Sequence, residues 1–267
     1  NRWKDWSLSV NGNFTYNRNE IMNLGGVQRM INGNDIKQIG SPINSYYAYK
    51  AVGFFQSDAE AQAYMDKYKG KEGYPFTSDF KAGDIIYSDT NGDGKMTSED
   101  RVICGSKDPK FTYGLNINAG WRGFDLSAIF TGAAGVSRFF NTQMYGEFSG
   151  DTTHPSTAWL DAWSTENPDG KMPRVAVNSP SSSMNTVSTF WIQNANFLRM
   201  KSIQLGYTFP SEWIKPSGLS NLRIYYSGEN LFTIDNLMIN VDPEAPEGRG
   251  SHYPLVQTHS IGVNLTF

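Results

Sequence analysis

Residues of one parity are apolar and their neighbours polar over several stretches of this 267-residue chain. A period of two is the mark of a β-strand with one wet and one dry face. Trp6, Leu8, Val10, Phe14 and Tyr16 oppose Ser7, Ser9, Asn11, Asn13, Thr15 and Asn17. Phe111, Tyr113, Leu115, Ile117, Ala119 and Trp121 oppose Thr112, Gly114, Asn116, Asn118 and Gly120. Arg122 and Gly123 then read as a two-residue hairpin turn into Phe124, Leu126, Ala128 and Phe130. The pattern returns in Ile203, Leu205, Tyr207 and Phe209, in Leu222, Ile224 and Tyr226, and in Ile261, Val263, Leu265 and Phe267.

A soluble sandwich also alternates, with its apolar faces meeting in a core. Two details favour a membrane barrel. The polar parity is made of small Asn, Ser, Thr and Gly, as a wet lumen requires, and Trp6, Tyr16, Phe111 and Trp121 sit near strand ends like interfacial girdles. Composition narrows the field further. No stretch approaches the ~18 uncharged apolar residues of a membrane helix, while 14% aromatic and 18% charged residues do not describe a disordered chain. A net charge of -3 offers no basic surface for tracking phosphates, so nucleic acid is not an expected partner. Cys104 is the one cysteine, with no His or Asn motif to make it a nucleophile, and reads as a buried, inert thiol. The first residue is Asn1, and no signal-peptide pattern follows it, so the chain reads as a mature or truncated piece.

The connections are unequal. Residues 122–123 and 210–220 read as short periplasmic turns; 56–109, 135–196 and 234–256 read as long segments facing outside. Tyr46 to Phe55 alternates only in part and is open between strand and loop. Ala59, Ala61, Ala63, Tyr64 and Tyr68 predict a short helix within 56–72, and Ala158 to Trp163 a helical turn.

The run from Ala82 through Asp84 to Lys95 (AGDIIYSDTNGDGK) resembles a hallmark segment of SusC/RagA-like, TonB-dependent outer-membrane transporters of Bacteroidetes. Further landmarks follow in the same order: Asp108 to Gly114, Phe124 to Ser127, Phe197 to Tyr207, Asn221 to Arg223, and Ser227 to Phe232. The resemblance covers nearly the whole chain. It implies an all-β, antiparallel transmembrane barrel of about 22 strands, of which residues 1–267 would be the C-terminal part, in the bacterial outer membrane. It also implies an N-terminal plug, absent from this chain, that engages TonB-ExbB-ExbD, and a SusD-like lipoprotein over the mouth. The implied function is import of glycan oligomers or peptides. About 22 strands of ~10 residues would consume nearly the whole length, so this chain is read as a part of such a barrel.

Residues 89–100 match the spacing of an EF-hand loop. Asp89, Asn91 and Asp93 stand at positions 1, 3 and 5, Gly94 at the sharp turn, the Lys95 carbonyl at position 7, and Asp100 at position 12. Hard oxygen donors at that spacing predict Ca²⁺, with Mg²⁺ the alternative because Asp replaces the usual Glu at position 12. A bare Asx turn is the competing reading. For cargo, Tyr145, Phe148, Trp159, Trp163 and Trp191 are loop aromatics suited to stacking on sugars or packing on peptide side chains, with local loop packing the simpler job for each. His154, His252 and His259 are scattered, and Ser78 to Lys81 matches S-x-x-K without its companion motifs, so no catalytic constellation stands out and the chain is not read as an enzyme. Gly262, Val263, Leu265 and Phe267 resemble the terminal signal by which outer-membrane barrels are recognised for assembly, with a lipid-facing aromatic at the periplasmic interface an equally compatible reading of Phe267. The alternative function is a soluble, calcium-stabilised β-sandwich that binds carbohydrate.

Overall fold

The computed structural model describes residues 2–3, 5–140, 155–176, 181–247 and 253–267. In chain order the strands are β1 (Arg2–Trp3), β2 (Trp6–Tyr16), β3 (Arg29–Asn32), β4 (Asp35–Gln38), β5 (Ser45–Tyr49) and β6 (Ala51–Phe54). After helix α1 (Asp58–Tyr68) come β7 (Ile85–Tyr87), β8 (Arg101–Ser106), β9 (Phe111–Trp121), β10 (Phe124–Ala134) and β11 (Ser137–Phe139). The short α2 (Ser182–Asn185) precedes β12 (Ile192–Asn194) and β13 (Phe197–Thr208); α3 (Ser211–Ile214) precedes β14 (Asn221–Asp235) and β15 (Thr258–Thr266).

Seven strands make one antiparallel wall in the order β1-β2-β9-β10-β13-β14-β15. Its register converts the alternation of single strands into continuous rows. One row runs Trp6, Trp121, Phe124, Tyr207, Ile224, Val263, and another Leu8, Ala119, Leu126, Leu205, Tyr226, Ile261. The next row beyond the second is wholly polar: Ser9, Asn118, Ser127, Gln204, Ser227, Ser260. A one-residue slip anywhere would mix the two faces, so the pattern excludes odd slips of register.

Among the described residues nothing covers the apolar face. Phe14 is 66% exposed and Ile261 81%, and every residue of β2 is exposed. The other sheets, β3-β4-β5-β8, β6-β7 and β11-β12, belong to the connections and do not pack on this face. This removes the sandwich reading, which requires two apolar faces to meet. The aromatic ends also measure the wall. Trp6 stacks on Trp121 with centroids 5.1 Å apart, continuing through Phe124 to Tyr207, while Phe14 and Tyr16 meet Phe111 at the other end. Ten steps from Trp6 to Tyr16 span ~34 Å of strand, or ~26 Å vertically at a tilt of about 40°, the height of a membrane-facing band.

Antiparallel pairing places every short turn at one end of the wall and every long excursion at the other. The turn end holds Arg122 and Gly123 and the segment 209–220, where α3 and a 3₁₀ turn close at Gly218. The loop end holds excursions over 17–110, 135–196 and 236–257. The first begins well before residue 56. β5, the stretch whose alternation was incomplete, is buried at all five positions, so it has no wet parity to alternate. Helix α1 falls inside the predicted 56–72 span, capped by the Ser57 side chain, which accepts from Glu60 N–H at 3.2 Å. The helical turn near 158–163 is a 3₁₀ segment at Thr157–Asp161.

Candidate functional site

The excursions fold on one another at the loop end around an aromatic core. Tyr49, Phe55, Met65, Phe80 and Tyr87 come from the first, Trp159, Met172 and Trp191 from the second, and Leu237, Met238, Ile239 and Val241 of the third pack against them. Phe76 stacks on Tyr87 at 5.0 Å, and the Tyr64 hydroxyl donates to the Tyr87 carbonyl at 3.0 Å. Burial pushes the Tyr49 phenol up to about 12, so this core holds its hydroxyls neutral at any physiological pH. Burial likewise pushes the Cys104 thiol up to about 11, which keeps it unreactive.

The hallmark segment supplies a joint that its sequence did not announce. Asp84 is fully buried; its carboxylate lies 3.0 Å from Arg174 Nε, accepts from the Ser183 hydroxyl at 3.1 Å and from Lys81 N–H at 2.8 Å. Gly83 beside it has φ +82, and a Cβ there would stand 2.3 Å from the Trp163 ring. Two positions of the motif thus lock the first excursion to the second. The partners are some 90 positions away, and no local pattern joins them.

The 89–100 loop closes on its own amides. Asp89 accepts from Gly92 N–H at 2.7 Å and Gly94 N–H at 2.9 Å, Asn91 from Asp93 N–H at 2.9 Å, and Asp93 from Lys95 N–H at 2.8 Å. Asp100 is fully buried and accepts from Thr90 N–H at 2.9 Å and Thr97 N–H at 2.8 Å, forming a capping box with Thr97. Asp100 in this geometry is therefore an internal brace. Among the described residues no three His, Cys, Asp or Glu side chains converge as a metal cluster. Asp89, Asn91 and Asp93 are a partial fit to a hard cation: their oxygens keep further lone pairs, and Gly92 and Gly94 both take the positive φ that the turn needs.

Of the aromatics considered for cargo, Trp159, Trp163 and Trp191 are buried in the loop cluster and present no face to a passing molecule. Their polar edges are used internally. Trp191 Nε1 donates to the Ser183 carbonyl at 2.8 Å, and Trp163 Nε1 to Gln56 Oε1 at 3.3 Å. Large indoles in a cluster that must bury its own apolar surface go inside. Tyr145 and Phe148 lie outside the described residues.

An open cleft of about 970 Å³ lies where the third excursion leaves the wall, lined by Asn230, Thr233, Asp235, Asn240, Asp242 and Gln257 among others. Arg199 of β13 reaches it from the polar parity, almost wholly buried. It donates to Glu244 at 2.6 Å, to the Thr233 hydroxyl at 3.0 Å and to Asp242. Lower on the same face Arg223 forks onto Asp125 and also donates to Gln204 at 3.0 Å. The inward face is thus polar and hydrogen-bonded, with each of these guanidiniums paired to carboxylate.

At the C-terminal strand, Val263, Leu265 and Phe267 are exposed on the apolar side. Gly262 has the opposite parity, paired with Tyr225, and a Cβ on it would come 2.3 Å from that ring. Its smallness is explained by fit.

A wall with one apolar and one polar face, with turns at one end and folded excursions at the other, is the wall of an outer-membrane β-barrel. No protein-family profile matches the chain. Over 99% of its length it is 25% identical to TonB-dependent receptor P3 of Formosa agariphila and 27% identical to TonB-dependent receptor SusC of Bacteroides thetaiotaomicron, spanning 27% and 25% of those proteins. Among solved structures it matches the RagAB peptide transporter over its full length with a TM-score of 0.71 and 25% identity, covering 28% of that chain. Its homologues are thus TonB-dependent receptors of the SusC and RagA kind, and its place is the outer membrane. The chain spans about a quarter of the length of the curated relatives it matches.

Proposed function

We propose that this chain supplies barrel wall and external loops to an importer of glycan oligomers or peptides, as the C-terminal part of a longer receptor. One observation carries the reading: the sheet turns an uncovered apolar face to one side and a hydrogen-bonded polar face to the other, while all long excursions gather at one end. Such a wall is useful only in lipid, with solvated cargo passing along its polar side. The wall is the rigid part. Movement is assigned to a plug energised by TonB-ExbB-ExbD and to a SusD-like lipoprotein closing over the loop end. Asp89, Asn91, Asp93 and the Lys95 carbonyl are proposed to take Ca²⁺ or Mg²⁺, stiffening the first excursion.

The test is uptake by cells producing the full-length receptor, offered labelled oligosaccharides and labelled oligopeptides. Accumulation of one class that stops on loss of TonB or of the SusD-like protein is expected. Uptake of neither class, or uptake indifferent to TonB, overturns the proposal.

A further inference from the structure

The first excursion carries its apolar surface unevenly. β5 is buried throughout, yet Met22, Val27, Met30, Ile31, Ile39 and Ile43 are all exposed, Met22 at 77% and Met30 at 54%. Exposed aliphatic side chains gathered in and beside one hairpin mark a contact surface. That hairpin, β3-β4, is held firm from behind. Ile36 of β4 is buried, Arg29 Nη2 donates to both Glu99 oxygens at 2.6 and 2.9 Å, and Arg101, over the Tyr47 ring, donates to the Gly33 carbonyl at 2.6 Å. β3 is the outermost strand of the sheet β3-β4-β5-β8, and its outer edge pairs with nothing among the described residues.

The order of that sheet repeats the order of the wall beneath it. β3 is reached from β2, and β8 leads into β9; the Asn17 N–H donates to the Lys110 carbonyl at 2.8 Å, closing the root of the excursion over both. At its β8 end the sheet meets the second excursion, where a Cβ on Gly105 would lie 2.3 Å from Ser137 Oγ. β3 therefore lies at the far end, on the side of β2 that faces away from β9. On that side β2 is paired only by Arg2 and Trp3, and its edge from Leu8 to Tyr16 carries no partner among the described residues. Lipid tolerates no unpaired edge, so a strand continues β1 up the length of β2 to the loop end, where its own excursion rises beside β3.

We infer that the exposed β3-β4 hairpin is the seat of this neighbouring excursion of the same receptor, the one that descends into β1, which covers Met22, Val27, Met30 and Ile31 with apolar side chains of its own. The inference rests on the reading of the chain as part of a longer receptor. The three described excursions already bury their aliphatic and aromatic surface on one another, and this contact extends the same packing past β2.

Met30 replaced by p-benzoylphenylalanine in the full-length receptor, irradiated in cells that also make the SusD-like protein, tests the contact. The expected product keeps the mass of one receptor, and peptide mapping places the link in the segment that runs down into β1. The same probe at Leu160, exposed on the second excursion, should not reach that segment. On a Cys104→Ser background, Met30→Cys should react with an impermeant maleimide about tenfold more slowly than Leu160→Cys, with or without the SusD-like protein. No link, a link to the SusD-like protein, to a second receptor or to lipid, equal reaction rates at the two positions, or protection that vanishes with the SusD-like protein overturns the inference. Neither readout needs cargo or TonB, so a receptor that assembles and imports while Met30 links elsewhere fails this inference alone.

Discussion

Arg223 on β14 reaches across β13 to Asp125 on β10, its Nε donating to Oδ1 at 2.9 Å and its Nη2 to Oδ2 at 2.5 Å. The fork passes over Gly206, where a Cβ would lie 2.4 Å from the Arg223 Nη2. Three adjacent strands are thus tied on the polar face by one guanidinium, a carboxylate and the absence of a side chain between them. The charge-assisted, bidentate geometry is the strong form of this contact, although the partly solvated Asp125 limits its value to about 1 kcal/mol.

Gly206→Ala should therefore disturb the wall as much as Asp125→Asn, because both unseat the fork. The measurement is urea unfolding of the full-length barrel, followed by the heat-dependent shift of the folded band in gels. Each variant should lower the midpoint; an unchanged midpoint for Gly206→Ala would show that the guanidinium has another resting place.

Asp84→Ala should loosen the loop end while leaving the wall intact. It strands Arg174 beside a buried site and removes an acceptor from the Ser183 hydroxyl and Lys81 N–H, a loss of about 3–5 kcal/mol for a broken buried pair. Limited proteolysis should cut the variant within 56–109 or 155–176 under conditions where the wild type is resistant. Gly83→Ala should have the same effect through its positive φ and the Trp163 ring.

The terminal strand separates two roles that adjoin in sequence. Phe267→Ser should reduce the amount of heat-modifiable barrel in the outer membrane if the exposed ring is read during assembly. Gly262→Val should act differently, by collision with Tyr225, lowering the stability of whatever barrel does assemble. Normal levels of Phe267→Ser barrel would count against the assembly role.

If the 89–100 loop takes Ca²⁺, adding the ion should protect the first excursion from proteolysis, and a chelator should reverse this. Asp89→Asn and Asp93→Asn should abolish the response by removing charge from the donor set. Asp100→Asn should destabilise the loop with or without the ion, since Asp100 already holds Thr90 and Thr97 N–H.

The wall was legible because each of its strands carries its own instructions. Trp6 to Tyr16 has one wet and one dry side, and so do Phe111 to Trp121 and Ile261 to Phe267; a period of two is visible within a single strand, and the Arg122 and Gly123 turn is a matter of two residues. The alanines of α1 are equally local. β5 was not legible for the opposite reason: Ser45 to Tyr49 is buried on both sides, and a strand without a wet face has no alternation to show.

The candidate site divides in the same way. The spacing of Asp89, Asn91, Asp93 and Asp100 can be read from sequence, but whether Asp100 faces a cation or its own backbone depends on the Thr97 cap folded beneath it. Indoles at Trp159, Trp163 and Trp191 have the same chemistry in a binding face and in a core, and only packing chose the core. The sequence by itself determined the two-faced strands, since the preference of each side chain for water or an apolar surround is a property of that side chain alone; the order and register of the strands, and the absence among the described residues of a second sheet over the apolar face, were decided by the tertiary structure. Tertiary structure alone decided the pairing of Asp84 with Arg174 and the meeting of Glu247 with Lys107 and Tyr46. Those contacts join residues far apart in the chain, and their energies depend on a burial that no single segment can create.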